Sequence, residues 1–136
     1  MIIIPGKSNA PKCDFFPETE FICTSGSLEI HAKNSILIIG ENPPEIILRE
    51  AFAVIADGDG FQGFVPRGIQ LITCGLSGKN TLCVTSRRQD KITVSLNRAI
   101  NTLNGIVEPL EIPVNIAEGI SEFDCMAAMA AKLLLG

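Results

Sequence analysis

The sequence predicts an α/β domain over residues 1–136: a mainly parallel sheet in the N-terminal and middle part, a small antiparallel meander, and a C-terminal Ala-rich helix. Three observations predict it. Short continuous apolar runs at 36–39, 52–56 and 71–74 each stop at a glycine or an Asp-Gly turn, as strands buried on both faces do. Residues 81–86 and 92–96 instead alternate polar and apolar, the period of a strand with one wet face. The final run, 121–135, opens on a serine and is rich in alanine, which suits a helix.

The elements follow in chain order. Residues 2–4 make a short strand stopped by Pro5-Gly6, and 7–20 is polar and reads as loop. Segments 21–24 and 28–31 are short and partly alternating around Ser25-Gly26, the pattern of a hairpin, although 1–35 as a whole is ambiguous. The parallel part, 36–75, follows. In it Pro43-Pro44 opens a short helix over 44–50, because proline tolerates the first helical turn. After Gly75 the meander covers 81–116, with a turn at 87–91. Asn104-Gly105 centres a hairpin between strands at 99–103 and 106–116, and Pro109 and Pro113 favour an edge position there. Ser121 caps the last helix, with Asp124 placed to close a capping box and Gly136 where a glycine C-cap belongs.

Composition narrows the function classes. Hydrophobic residues are 46% of the chain and charged residues 19%, with no Trp or Tyr, so the core is aliphatic and little polar material remains to cover a small domain. A homo-oligomer or a protein partner is expected. The net charge of -4, with no basic run beyond Arg87-Arg88, argues against nucleic acid. The five cysteines are scattered without a C-x-x-C pair and read as small buried hydrophobes of a reducing compartment. The apolar start is too short for a signal segment and no run is long enough for a membrane span, so the expected location is cytoplasmic.

The candidate chemistry centres on Gly75-Leu-Ser-Gly78-Lys79-Asn80-Thr81. A phosphate-binding loop needs G-x-x-x-x-G-K-[ST] and a following helix. Here Thr73 stands at the first glycine position, Asn80 follows the lysine, and a strand pattern comes next, so a surface turn carrying Lys79 is the preferred reading. Asp57 and Asp59 end an apolar strand, where α/β sheets place ligand contacts, and a D-x-D pair suits Mg²⁺; turn formation by Asp-Gly is the plainer account. His31, the one histidine, reads as a solvent-facing strand residue. Arg87, Arg88, Lys91 and Arg98 form an anion site only if the meander gathers them. The candidate ligand-binding set is Asp57, Asp59, Gly75, Gly78, Lys79 and Arg87, with no catalytic residue, metal ligand or cofactor assigned.

Three stretches carry a family resemblance: Ala53-Val-Ile-Ala-Asp-Gly-Asp59, Leu71-Ile-Thr-Cys-Gly-Leu-Ser77, and Phe123-Asp-Cys-Met-Ala-Ala-Met-Ala-Ala-Lys-Leu-Leu-Leu-Gly136. In order and spacing, 53–136 resembles the later part of the central domain of the Mur ligases, the ATP-dependent ligases that build the peptidoglycan stem peptide. The resemblance implies that family's α/β framework. It does not imply ATP-driven ligation. The first 50 residues hold no P-loop, Glu122-Phe123-Asp124 replaces the family's histidine beside the asparagine at the start of the last helix, and Ala56 or Asp57 stands where its adenine-contacting asparagine would. Three functions therefore remain: a non-catalytic binding or assembly module, a small nucleotide- or phosphometabolite-binding enzyme using Asp57, Asp59 and Lys79, or a subunit active only within a complex.

Overall fold

Twelve strands and one helix are arranged in a computed structural model that describes residues 1–6, 13, 16, 21–24, 26–40, 43–61, 63, 65–116 and 118–136. The strands are β1 (Ile2–Pro5), β2 (Phe21–Thr24), β3 (Leu28–His31), β4 (Ile36–Ile39), β5 (Ile46–Glu50), β6 (Ala53–Asp57), β7 (Gln70–Gly75), β8 (Leu82–Arg88), β9 (Lys91–Leu96), β10 (Ile100–Thr102), β11 (Gly105–Val107) and β12 (Leu110–Asn115). The helix is α1 (Glu122–Leu135).

Eight strands form the main sheet in the order β12-β9-β8-β7-β6-β4-β1-β2. The pairs from β2 to β8 are parallel, whereas β8–β9 and β9–β12 are antiparallel. The change of direction falls on β8, which pairs parallel with β7 at Cys74↔Leu82 and Gly75↔Cys83 and antiparallel with β9. The predicted α/β class holds in its coarse form: a mostly parallel sheet, an antiparallel extension, and one C-terminal helix.

Two predicted elements are corrected. Residues 44–50 do not form a helix; Ile46–Glu50 is strand β5, paired parallel with β3 in a second sheet. Seven residues are too few to sustain a helix without tertiary help. The segment also has the strand period, with Ile46, Leu48 and Glu50 half-buried and Ile47 and Arg49 exposed. Cross-strand pairs reinforce it: Arg49 reaches Glu29 at 3.6 Å, and His31 Nδ1 reaches Glu50 at 3.6 Å. The second correction concerns 21–31, where β2 and β3 do not form a hairpin. β2 joins β1 in the main sheet while β3 joins β5 in the small one. From β2 to β6 the chain thus alternates between two parallel sheets, a solenoid-like course. The loop read over 7–20 lies outside the described residues apart from Cys13 and Phe16.

The two sheets and α1 form three layers. Leu37, Ile39, Val54 and Ala56 project from the main sheet towards the β3–β5 ribbon and pack with Ile30, Leu28, Ile46 and Leu48. On the opposite face Ile38, Ile55, Ile72, Leu82, Val94 and Leu96 meet α1. The helix presents Ala127, Ala128, Ala130 and Ala131, each fully buried, with Met126 and Leu134 filling the gaps. Such small side chains let the helix axis lie close to the sheet. Its ends are capped as expected: Ser121 Oγ accepts from the Asp124 N–H at 3.0 Å, and the Gly136 N–H, at φ 87°, donates to Leu133 O.

In the meander, β8 extends to Arg88 and β9 starts at Lys91, so Arg87 is a strand residue and the turn is shorter than predicted. The Asn104-Gly105 hairpin forms, but its ladder closes at Thr102↔Gly105, with Leu103 and Asn104 between. The predicted strand 106–116 divides before Pro109 into β11 and β12, and Pro113 sits on the edge strand β12.

Candidate functional site

The register Asp57↔Cys74 places the ends of β6 and β7 side by side, so the loops that follow them meet. After β6 the chain turns at once. The Asp59 N–H donates to Asp57 Oδ1 at 3.0 Å, the Phe61 N–H to Asp57 O at 2.8 Å, and the Gly58 N–H to Cys74 O at 2.9 Å. Asp57 is therefore a turn-forming aspartate with one carboxylate oxygen engaged by the backbone.

The loop 76–81 satisfies its own backbone. The Lys79 N–H donates to Ser77 Oγ at 3.2 Å, the Asn80 N–H to Ser77 O at 3.1 Å, and the Thr81 N–H to Thr73 Oγ1 at 3.0 Å. In return the Thr73 N–H donates to Thr81 Oγ1 at 3.2 Å, so two threonine hydroxyls extend the β7–β8 ladder where backbone pairing stops. The loop's carbonyls are held from the β9 side. Asn97 Nδ2 donates to Asn80 O at 3.0 Å, and Arg98 Nη2 donates to Lys79 O.

Asn80 is the keystone of this corner. It is 5% exposed, its Nδ2 donates to Ser77 O at 3.0 Å, and its carboxamide lies across both Gly58 and Gly75. A Cβ on Gly58 would overlap Asn80 Oδ1 and stand 2.8 Å from Asn80 Cγ. One on Gly75 would overlap Asn80 Nδ2 and stand 3.0 Å from Asp59 Oδ2. Both glycines are needed here for close approach, not for unusual dihedrals. Beneath them, burial, with the Asp57 charge adding, pushes the Cys74 thiol far above its ordinary pKa, so it stays protonated and inert.

The predicted residues thus divide. Asp57, Asp59 and Gly75 gather around Asn80 at the carboxyl end of the parallel strands, and Gly78 and Lys79 lie exposed on the adjoining loop. Arg87 belongs elsewhere. It projects from the far end of β8 towards α1, where its Nη2 donates to Glu122 Oε2 at 2.6 Å and its Nε to Oε1. Nor does the meander gather the four cations: Arg98 is committed to the Lys79 carbonyl at the other end of the β8–β9 pair, while Arg88 and Lys91 face each other in register next to the turn.

Arg87 and Glu122 border an open cleft of about 730 Å³ between the β8–β9 turn and the segment leading into α1. Ile92, Ile116 and Ile120 supply its apolar lining, and Arg88, Asp90 and Glu118 add charge at its rim. The Arg87 guanidinium, mainly through its hydrogen bonds, holds the Glu122 carboxyl below its ordinary pKa, and Glu122 raises that of Arg87 in turn. Sequence reasoning missed this cleft because its two walls come from segments 35 positions apart. The only local signal was Glu122 beside the helix cap, which is accounted for by the helix dipole.

Among the described residues no group of three or more His, Cys, Asp or Glu side chains is placed to hold a metal ion. Among the described residues no helix is long and apolar enough to cross a membrane. No protein-family model matches the chain, and no curated protein or solved structure matches it.

Proposed function

We propose that this chain is a non-catalytic α/β binding or assembly module, with a framework like the later part of the Mur ligase central domain and without that family's ATP machinery. One observation carries the reading. The backbone N–H groups of Lys79, Asn80 and Thr81, which a phosphate cradle would turn outward, are donated inward to Ser77 and Thr73. The space over the glycines is filled by Asn80, and a strand, not a helix with its dipole, follows the loop. The order of β6, β7, the meander and α1 supports the framework part of the proposal. The β3–β5 ribbon on one face departs from it, since an α/β fold of that type carries helices on both faces.

A second reading, a nucleotide- or phosphometabolite-binding enzyme, is favoured by one fact: Asp57, Asp59 and Lys79 lie at the carboxyl ends of parallel strands, where ligands of such sheets bind. Thermal-shift measurements with nucleotides and sugar phosphates, with and without Mg²⁺, separate the two. The module reading expects no shift. A shift lost in Asp57→Ala or Lys79→Ala would replace it with the enzyme reading. Light scattering of the purified chain addresses assembly: a dimer or larger species is expected, and a strict monomer at high concentration would remove that part.

A further inference from the structure

The cysteines are not equivalent. Cys74 and Cys83 are buried in the sheet, and Cys83 Sγ accepts from Asn97 Nδ2 at 3.2 Å. Cys13 and Cys125, 112 positions apart, meet with their sulfurs 3.8 Å from each other, the Cys13 thiol donating to Cys125 Sγ. Cys125 lies just past the first turn of α1 and is 1% exposed, whereas Cys13, in the connection from β1 to β2, is half-buried and reaches solvent.

We propose that Cys13 and Cys125 are a site of reversible oxidation, at which a peroxide converts the thiol pair into a disulfide fastening the β1–β2 connection to helix α1. Both cysteines are reduced in the structure, and the sulfurs need only close from contact to bonding distance, a movement within the reach of side-chain rotation. The two positions divide the chemistry. Cys13, which reaches solvent, meets the peroxide: its sulfur gives up its proton and attacks one oxygen, the O–O bond breaks, and the hydroxide that leaves takes up that proton as water. The product is a sulfenic acid on Cys13.

Cys125 resolves it. In the reduced pair the hydrogen bond from Cys13 lowers the Cys125 thiol pKa, outweighing burial and the nearby charges of Asp124 and Glu122, which raise it. After Cys13 is oxidised, the Cys125 sulfur, 3.8 Å away in the reduced pair, gives up its proton and attacks the Cys13 sulfur, the S–O bond breaks, and the leaving hydroxide takes up that proton as a second water. Two thiols and one peroxide become one disulfide and two waters. An added dithiol reverses the step by exchange. Cys74 cannot compete, being fully buried with its thiol held protonated.

The test uses the full chain. The purified protein is treated with hydrogen peroxide, unfolded, alkylated and weighed, and its peptides are mapped without reduction. The expected result is two fewer alkylated thiols per monomer, a linked peptide pair containing Cys13 and Cys125, and a raised Tm that returns with dithiothreitol. In Cys13→Ser every remaining thiol should stay alkylatable after the same treatment, and in Cys23→Ser the bridge should persist. Retention of all five thiols in the wild type, a bridge involving Cys23, or a disulfide only between two monomers would each overturn the proposal. Because the mapping is done on the wild type, a variant that fails to fold does not rescue it.

Discussion

Replacing Gly58 by alanine tests the interlock at the carboxyl edge. The Gly58 backbone lies outside the left-handed region, so alanine is allowed there and the cost is steric. The new methyl would occupy the position of Asn80 Oδ1 and press on Asn80 Cγ at 2.8 Å and Thr73 Cβ at 3.1 Å. Overpacking of this kind costs about 1–3 kcal/mol. Displacing the Asn80 carboxamide also loses its 3.0 Å bond to Ser77 O, a further ~1 kcal/mol. Together the loss is about 2–4 kcal/mol, a large part of the ~5–15 kcal/mol that holds a domain of this size.

The informative measurement is a double-mutant cycle by urea denaturation. Asn80→Ala alone should cost about 1–2 kcal/mol, through the lost amide bond and the space left behind. In that background the clash is relieved, and Gly58→Ala should cost no more than ~1 kcal/mol, the remainder coming from Thr73. The expected coupling is therefore about 2 kcal/mol. If the two substitutions add to within ~0.5 kcal/mol, or if Gly58→Ala alone is neutral, Asn80 does not lock these loops.

Three further outcomes follow from the helix and its surroundings. Arg87 holds the Glu122 carboxyl below its ordinary value of 4.5, so the pair's stabilisation is present above that pH and fades as pH falls through the lower folded value. Thermal melts from neutral pH down to about pH 3 should accordingly show a flatter acid limb in Glu122→Gln than in the wild type, and identical limbs would refute the coupling. Ser121→Ala should lose ~0.5–2 kcal/mol by removing the cap on the Asp124 N–H, while Ser121→Asp should stay near wild type in the same urea assay. Met126→Ala, at a side chain 2% exposed against the sheet, should cost about 2–5 kcal/mol, and a loss below ~1 kcal/mol would mean that α1 does not pack as described.

What could be read from sequence was whatever is set by near neighbours. The runs at β4 and β6 announce themselves because burial on both faces leaves them apolar up to the turn that follows, whereas β7 is buried on one face only, with Leu71 exposed and Thr73 half-buried. The alternation of β8 and β9 follows from one wet face, and α1 from a serine cap that acts over three residues. Residues 44–50 suit a helix in sequence because a proline at the start of a seven-residue segment fits a helix or a strand. The choice was made by β3, outside the segment. Equally, Ser25-Gly26 offers turn chemistry, but β2 finds a better partner in the strand before it.

The site divides along the same line. Asp57, Asp59 and Gly75 lie at legible strand ends, and the parallel register brings them together. Asn80 counted in the sequence only as the wrong residue for a phosphate loop, yet it fills the corner, a role visible only once Gly58 and Gly75 are seen beneath it. Arg87 stands with Lys79 in the candidate ligand-binding set that the sequence suggests. One bulge between Val84 and Ser86 and the length of β8 carry it to the helix side instead.

The position of α1 has a consequence for synthesis. It follows the twelve described strands, yet it covers the face of the main sheet from which Ile55, Ile72 and Leu82 project. Until residues 122–135 emerge from the ribosome, a nascent chain with these strands available has this face bare, and bare sheet faces aggregate. The alanine-rich helix thus docks after the described strands and covers an apolar face that they leave bare. Shortening the chain before Ser121 should leave a product that depends on holdase chaperones, and supplying 118–136 as a separate peptide during translation should reduce that dependence.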